Sequence, residues 1–421
     1  MSKLLIIADD YTGSLDTGVQ FSRKGVSVLV LTRDQLSDAG YGGCDVLVVD
    51  AESRHIPPEK ARRMVKDIAS EAMRYGVEYF YKKTDSALRG NIGAELAGLL
   101  DAGGAECLTF VPAFPKSRRV TVGGIQYIDG MKVAESVFGQ DPFSPVKLSS
   151  VADIIHLQTD TPTENVTRDS YEKAGTGANA KTIRILDAES MEDIERAGSI
   201  LKRGGNLRFL AGCAGFAEIL PDLLELPKSD LTFEKRGGSV LIVSGSVNPI
   251  TIDQISDGTN YGFSTFTLSL AQKLDASYPG SDACGFFVEE VKKKMEEQGR
   301  VILRTVETRA EVPLTESCAR ERGIPEHELP GRIASNVGAI AVRMLGEVKV
   351  DYLAVFGGDT LHGVLSKMGC EGVRPLVELS PGVVAAKALS KDHSCIVITK
   401  SGGLGNREVL GSINDFVFEA R

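Results

Sequence analysis

The chain has 421 residues, 42% of them hydrophobic and 25% charged, with a formal net charge of −9. That length exceeds the usual size of one domain, and the composition is that of an ordinary soluble globular protein. The acidic balance disfavours nucleic acid as a partner, and no apolar stretch approaches the ~20 residues that a membrane span needs.

The first predicted element is a strand, Leu4–Ala8, ending in two carboxylates, Asp9 and Asp10. Thr12, Gly13, Ser14 and Asp16 follow and suit a tight turn and the cap of a helix. Ser27–Leu31, Val46–Val49, Tyr79–Lys82 and Leu108–Val111 also read as strands, with helical patterns at Pro58–Arg74 and Gly93–Leu100. Such alternation implies βαβ units and a parallel sheet. Asp153–Gln158, Thr182–Asp187 and Phe209–Gly212 look like further strands of the same half.

Around Leu226–Gly238 the periodicity lapses into a polar stretch with Pro and Gly, which marks a domain boundary. The second half predicts strands at Ser239–Val243, Ser264–Leu268, Val301–Thr305, Tyr352–Phe356 and Cys395–Thr399. Its long helical patterns are Asp282–Gln298 and Leu329–Leu345. The expected class is α/β: two domains, 1–230 and 238–421, with mainly parallel sheets and a ligand cleft between them.

In open α/β sheets, ligands bind at the carboxyl ends of strands. Asp9 and Asp10 stand at one such end, where two acids repel unless a hydroxyl-rich ligand, a cation or basic groups compensate. For Asp10 alone, helix capping is the competing explanation. Another strand closes in Lys82-Lys83-Thr84-Asp85-Ser86, with Arg89 and Asn91 shortly after. That mixture suits a carboxylated polyol: Arg and Lys for the carboxylate, Asp and Asn for hydroxyls. Its competing explanation is a solvated charged face. Arg54, after the Val46 strand, is a weaker candidate for the same pocket. Pro112–Pro115 with Arg118, Arg119 and Gly123-Gly124 reads as a pocket wall.

In the second half, three strands run into loops of small residues: Ser244-Gly245-Ser246, Gly357-Gly358-Asp359-Thr360 and Lys400-Ser401-Gly402-Gly403. Small residues let backbone N–H groups approach phosphate, and Lys400 could add a compact charge. Neither GxxxxGK[ST] nor GxGxxG occurs after a strand, so neither a P-loop nor a dinucleotide fold is expected. Asp359 could hold Mg²⁺, a helix cap being its competing role. The seven cysteines are scattered without a CxxC, as in reduced cytoplasmic proteins, and the acids directly behind the apolar run of MSKLLIIADD are not expected of a secretory signal. The sequon at Asn165 is therefore expected to be idle.

ADDYTGSLDTG, KKTDSALRGNIGAE, PAFPKSRRVTVGG, VSGS, FGGDT, SPGVV and TKSGGLG, in that order, resemble the four-carbon acid sugar kinase family. The resemblance implies an N-terminal domain for a four-carbon sugar acid and a C-terminal domain for ATP, with phosphoryl transfer to the terminal hydroxyl. KKTDS, where 3-oxo-tetronate kinases carry a Thr-rich loop, and DTGVQ make the chain more similar to D-threonate and D-erythronate kinases. Substrate contacts would fall on Asp10, Arg54, Lys82, Lys83, Thr84, Asp85 and, from its charge, Arg89. ATP contacts would fall on Ser244, Gly357 to Thr360 and Gly402. Lys83 and Arg89 are expected to hold the carboxylate, and Asp10 or Asp85 to orient the hydroxyl. Alternatives are a 3-oxo-tetronate or 4-hydroxythreonine kinase, a non-catalytic sugar-acid sensor and a nicotinamide-dependent dehydrogenase. The apolar helices leave room for a homodimer.

Overall fold

Five-residue apolar runs, flanked on both sides by helices, build the strands of this fold. The computed structural model describes residues 2–32, 36, 43–103, 106–141, 144–177, 180–229, 237–400 and 407–418. The chain divides into two compact units, Met1–Leu231 and Thr232–Arg421.

The first unit contains, in chain order, β1 (Leu4–Ala8), β2 (Val28–Thr32), β3 (Val46–Asp50), β4 (Tyr79–Lys83) and β5 (Cys107–Val111). These are followed by β6 (Arg119–Val122), β7 (Ile125–Ile128), β8 (Met131–Lys132), β9 (Thr163–Val166), β10 (Thr182–Leu186) and β11 (Phe209–Gly212). Its main sheet has the order β2-β3-β1-β4-β11-β5-β10-β9, and every pairing in it is parallel. All five residues of β1 are buried, as are all five of β3. The helix Pro58–Arg74 lays Ala61, Val65, Ile68, Ala69 and Ala72 inward, a single stripe at helical spacing. β6, β7 and β8 form a small antiparallel sheet fastened to the end of β10. Thr121 and Ala188 exchange backbone hydrogen bonds at 3.0 Å, and the Gly123 and Gly124 amides donate to the Asp187 carboxylate at 2.6 and 2.9 Å.

One expected strand is a helix. Val151–His156 is helical, with the Ser150 hydroxyl accepting from the Asp153 amide, and it buries Val151, Ile154 and Ile155. Apolar residues three and four apart fit a helix face, but in so short a run they cannot be told from strand residues. The neighbouring strand is β9, a polar segment that includes Asn165.

The second unit contains β12 (Val240–Ser244), β13 (Ser264–Thr267), β14 (Arg300–Arg304), β15 (Tyr352–Phe356), β16 (Val373–Ser380), β17 (Val383–Ala388) and β18 (Ile396–Lys400). The order is β13-β14-β12-β15-β18-β17-β16. The first five are parallel, whereas β17 runs antiparallel to both β18 and β16. The helices Asp282–Gln298 and Leu329–Glu347 flank this sheet.

Both units start alike. Counting strands within each unit, the spatial order begins second, third, first, fourth. The winding direction reverses between the first and fourth strands, β1/β4 in one unit and β12/β15 in the other. Such a switch point opens a crevice outside the carboxyl ends of the strands. All seven cysteines are free thiols. Among the described residues no helix is long and apolar enough to cross a membrane.

Candidate active site

The first switch point collects most of the charged residues that the sequence singles out. β1 ends at Ala8, so Asp9 and Asp10 leave the sheet together. Asp10 is the N-cap of the helix Tyr11–Ser22: its Oδ1 accepts from the Gly13 amide at 2.9 Å and its Oδ2 from the Thr12 hydroxyl at 3.0 Å. Capping does not exhaust it. Arg54, after β3, donates from Nη1 to Asp10 Oδ2 and from Nε to Asp9 Oδ2, each at 2.7 Å. Burial pushes the Asp10 carboxyl up, but Arg54 and Lys83 together outweigh burial and hold it below the ordinary carboxylate range.

β4 supplies the opposite wall, and its alternation sends the two lysines to opposite faces. Lys82 does not join Asp10 and Arg54. Its ammonium is fully buried, 3.1 Å from Glu95 Oε2 on the helix Ile92–Asp101, and donates to the Lys83 carbonyl at 2.8 Å. The Ser53 hydroxyl donates to the other Glu95 oxygen, and Asn91 Nδ2 donates to the carbonyls of Ser53 and Ile56, both at 2.7 Å. This buried cluster ties the Arg54 loop to β4 from below. Burial raises the Glu95 carboxyl despite the pull of Lys82.

Lys83 faces the other way. A Cβ added to Gly13 would stand 2.9 Å from Lys83 Nζ and closer still to Asp10 Oδ1, so only glycine fits there. Lys83 is 6% exposed, yet among the described residues its ammonium has neither an ion-pair partner nor a hydrogen bond. Three polar atoms at these strand ends are buried without a hydrogen-bond partner: Asp9 Oδ1, Asp50 Oδ2 and Thr84 Oγ1. Unsatisfied buried polar atoms are uncommon, and a cluster of them points to a polar ligand. Burial drives the Asp50 carboxyl well up.

Asp85 and Arg89 pair with each other. Arg89 Nε and Nη2 donate to the two Asp85 oxygens at 2.7 and 3.1 Å, and Nη1 reaches Asp141 at 3.2 Å. Against burial, Arg54 and Arg89 hold Asp85 far below the usual range. Both guanidinium edges of Arg89 are thus committed to acids. Of the expected pocket wall, the Gly123-Gly124 amides are filled by Asp187, whereas Arg119 reaches the Ser86 hydroxyl.

In the second unit, register places Ser244, Phe356 and Lys400 in one row across β12, β15 and β18. The loops that follow therefore open side by side. Gly357 has φ +111° and ψ 134°, and serves as N-cap of the helix Gly358–Lys367. Its amide donates to the Lys400 carbonyl at 3.2 Å, and the Gly245 amide donates to the Phe356 carbonyl at 3.2 Å. Thr360 packs against Gly245 so closely that a Cβ there would strike its hydroxyl. Lys400 is buried, donates to Thr251 Oγ1 at 3.0 Å, and lies 5.5 Å from the Phe356 ring centre. Burial lowers its ammonium to about 8. Asp359 does not cap its helix: it stands exposed in the first turn, without a hydrogen bond or ion pair among the described residues. Among the described residues no group of three or more His, Cys, Asp or Glu side chains could hold a metal, so a cation at Asp359 would have to be one that takes few protein ligands, as Mg²⁺ does. Gly402 and Gly403 lie outside the described residues.

The sequence reading overlooked Glu95, Phe138 and Asp141. Only Glu95 carried a signal: adjacent strand lysines face opposite ways, so one of them needs an acid on the covering helix. Glu95 is the acid in the first turn of that helix.

Comparisons with known proteins cover both units. The profile of a sugar-binding N-terminal domain matches residues 4–220, and that of a nucleotide-binding C-terminal domain matches residues 241–410. A D-erythronate kinase of Heliobacterium modesticaldum is 31% identical over 99% of this chain and 97% of its own. A D-threonate kinase of Salmonella typhimurium is 28% identical over 97% of this chain and 96% of its own. A solved structure from Salmonella typhimurium, described as a tRNA synthase, shares the fold with a TM-score of 0.79 at 19% identity, over 100% of this chain and 99% of its own. With both halves matched and a relative above 30% identity aligned nearly end to end, the chain belongs to the four-carbon acid sugar kinase family.

Proposed function

We propose that this protein transfers the γ-phosphoryl group of ATP to the terminal hydroxyl of a four-carbon sugar acid, D-threonate or D-erythronate. The observation that carries the reading is Lys83: a largely buried lysine whose ammonium has no hydrogen bond or ion pair among the described residues, beside the Asp10–Arg54 pair at a switch point. Lys83 acts on Asp10 through space without an ion pair, and a substrate carboxylate would give it a direct partner. Asp9 Oδ1 and Thr84 Oγ1, also without partners, suit the hydroxyls of the same molecule. The relatives named as D-erythronate and D-threonate kinases support the same substrate class.

Phosphoryl transfer asks mainly for positioning and charge neutralisation. Asp10, kept ionised by Arg54 and Lys83, orients the attacking hydroxyl and accepts its hydrogen bond. Asp85 holds the Arg89 guanidinium, which donates to both of its oxygens. In the second unit, the loops that follow Ser244 and Phe356 would receive the triphosphate through backbone amides other than those of Gly245 and Gly357, which donate to protein carbonyls, with Lys400 nearby; Asp359 would hold Mg²⁺. That ion, when bound, neutralises phosphate charge.

The test is ADP release with Mg-ATP against D-threonate, D-erythronate, their L-isomers, 3-oxo-tetronate and 4-hydroxy-L-threonine. Strong turnover of one D-acid, with a 4-phosphate product by ³¹P NMR, is expected. A folded, ATP-binding protein silent on the whole panel would overturn the reading, and preference for 3-oxo-tetronate would reassign its substrate.

A further inference from the structure

Arg89 and Arg119 flank the same ring. Their guanidinium carbons lie 5.1 and 5.2 Å from the Phe138 ring centre. Arg89 is charge-paired with Asp85 and Asp141. Arg119 has no ion pair among the described residues: its side chain donates to the Ser86 hydroxyl, within the segment that carries Lys83 and Asp85. Four cations, Arg54, Lys83, Arg89 and Arg119, thus meet four acids, Asp9, Asp10, Asp85 and Asp141, but only Arg54 and Arg89 form ion pairs with them. Lys83 and Arg119 act on Asp10 and Asp85 through space, with no ion pair of their own among the described residues.

The backbone holds Arg119 in place. Its amide donates to the Phe114 carbonyl at 3.1 Å and its carbonyl accepts from the Phe114 amide at 2.7 Å, closing the turn over Pro115–Ser117. Arg118, at φ 53° in this turn, points to solvent and pairs there with Asp129 at 2.7 Å. The first arginine of the pair goes out and the second goes in. The field of Arg119 also reaches the places that Lys83 reaches: the buried Cys213 thiol, raised chiefly by burial, is pulled down by both cations.

We infer that Arg119 is a specificity-determining residue that binds the substrate carboxylate together with Lys83, while Arg89 shapes the pocket. A guanidinium presents two parallel N–H donors to a carboxylate, which a neutral polyol cannot use. Ser86 and Phe138 hold the fork in a fixed plane, so the site selects acids over the corresponding tetritols. Arg119's role presupposes the sugar-acid substrate proposed above.

The experiment compares wild type with Arg119→Gln, Arg119→Lys and the exposed control Arg118→Gln. Each is assayed on the best acid of the panel and on threitol and erythritol, with KM for ATP and thermal melts recorded. Arg119→Gln is expected to raise KM for the acid roughly 10- to 100-fold, the range for hydrogen bonds to a charged group. KM for ATP should stay within about twofold and the weak turnover of tetritols unchanged, so that discrimination collapses. Arg119→Lys, which keeps charge and stem, should recover part of the acid affinity even where the Gln variant folds poorly. Arg118→Gln should match wild type. Acid KM values for Arg119→Gln and Arg119→Lys within about threefold of wild type, or an equal loss on tetritols, would overturn the assignment. A wild type inactive on every acid would instead overturn the substrate reading itself.

Discussion

The two units share the way their sheets begin but equip the switch point differently. After the first strand comes Asp9-Asp10 in one unit and Gly245-Ser246 in the other; after the fourth comes Thr84-Asp85 against Gly357-Gly358. One site is made of charged side chains, and the other of backbone with small residues. The contrast follows the ligands proposed for them. A short sugar acid must be recognised by discrete donors and acceptors, whereas a phosphate chain is met by N–H groups that need close approach. The costs differ too. Charged side chains gathered under a sheet end require buried counter-charges, met here by Arg54 with Asp9 and Asp10, and by Lys82 with Glu95. Backbone sites require conformations that side chains resist, as at Gly357.

The sharpest way to break this contrast is Lys83→Met. Removing one partner of a buried charge interaction should lower kcat/KM for the sugar acid by about 10³-fold, with KM for ATP unchanged. Parallel loss of both affinities in steady-state assays would contradict the separation. Next in size is Glu95→Gln, which leaves Lys82 buried without a counter-charge and should cost about 3–5 kcal/mol in urea denaturation. The double change Lys82→Met with Glu95→Leu should recover most of that loss. Stability of the single variant within about 1 kcal/mol of wild type would show that the pair is dispensable. Asp10→Asn is more selective, because asparagine caps a helix about as well as aspartate. Stability should therefore hold while kcat falls by about 10²-fold, the scale for a group positioned at the reacting hydroxyl. An unchanged kcat would remove Asp10 from the chemistry.

These residues differ in how readily the sequence reveals them. The parallel strands were legible because burial on both faces turns them into apolar runs such as LLIIA and VLVVD. The helix Pro58–Arg74 was legible from its stripe and its N-terminal proline. VADIIH was not, being too short for its period to show, and β16 was obscured by Pro375 and by a largely half-buried face. At the site, Asp10, Arg54, Lys83, Asp85 and Arg89 could be picked from charge at strand ends. Which cations stay unpaired could not. Lys82 and Lys83 are neighbours in sequence, and only the covering helix with Glu95 separates their roles. Arg89 also pairs with Asp141, a contact 52 residues away that local pattern does not encode.

In the second unit the corresponding probe is conformational. Gly357→Ala forces a side chain onto φ +111°, where strain of order 1–3 kcal/mol is expected. KM for ATP should rise roughly tenfold while calorimetric binding of the sugar acid alone is preserved. Loss of sugar-acid binding in this variant would mean that the backbone loop also serves the acid.

The smallest effect separates the units by pH. Lys400 is lowered by burial to about 8, so in the folded protein it loses its charge above that value. KM for ATP should then rise about three- to tenfold between pH 7 and pH 9, the scale for weakening one charge-assisted hydrogen bond. Lys400→Met should flatten that profile. Stability moves the opposite way. An unfolded lysine keeps its proton to about pH 10.4, so between pH 8 and that value unfolding takes up a proton and the Lys400 contribution rises with pH. It is lost as the pH falls through about 8. Nucleotide affinity falling while thermal stability rises over the same window is a signature that the ionised carboxylates of the first unit do not produce there. A KM for ATP that stays flat from pH 7 to 9 in the wild type would place the Lys400 charge outside nucleotide binding.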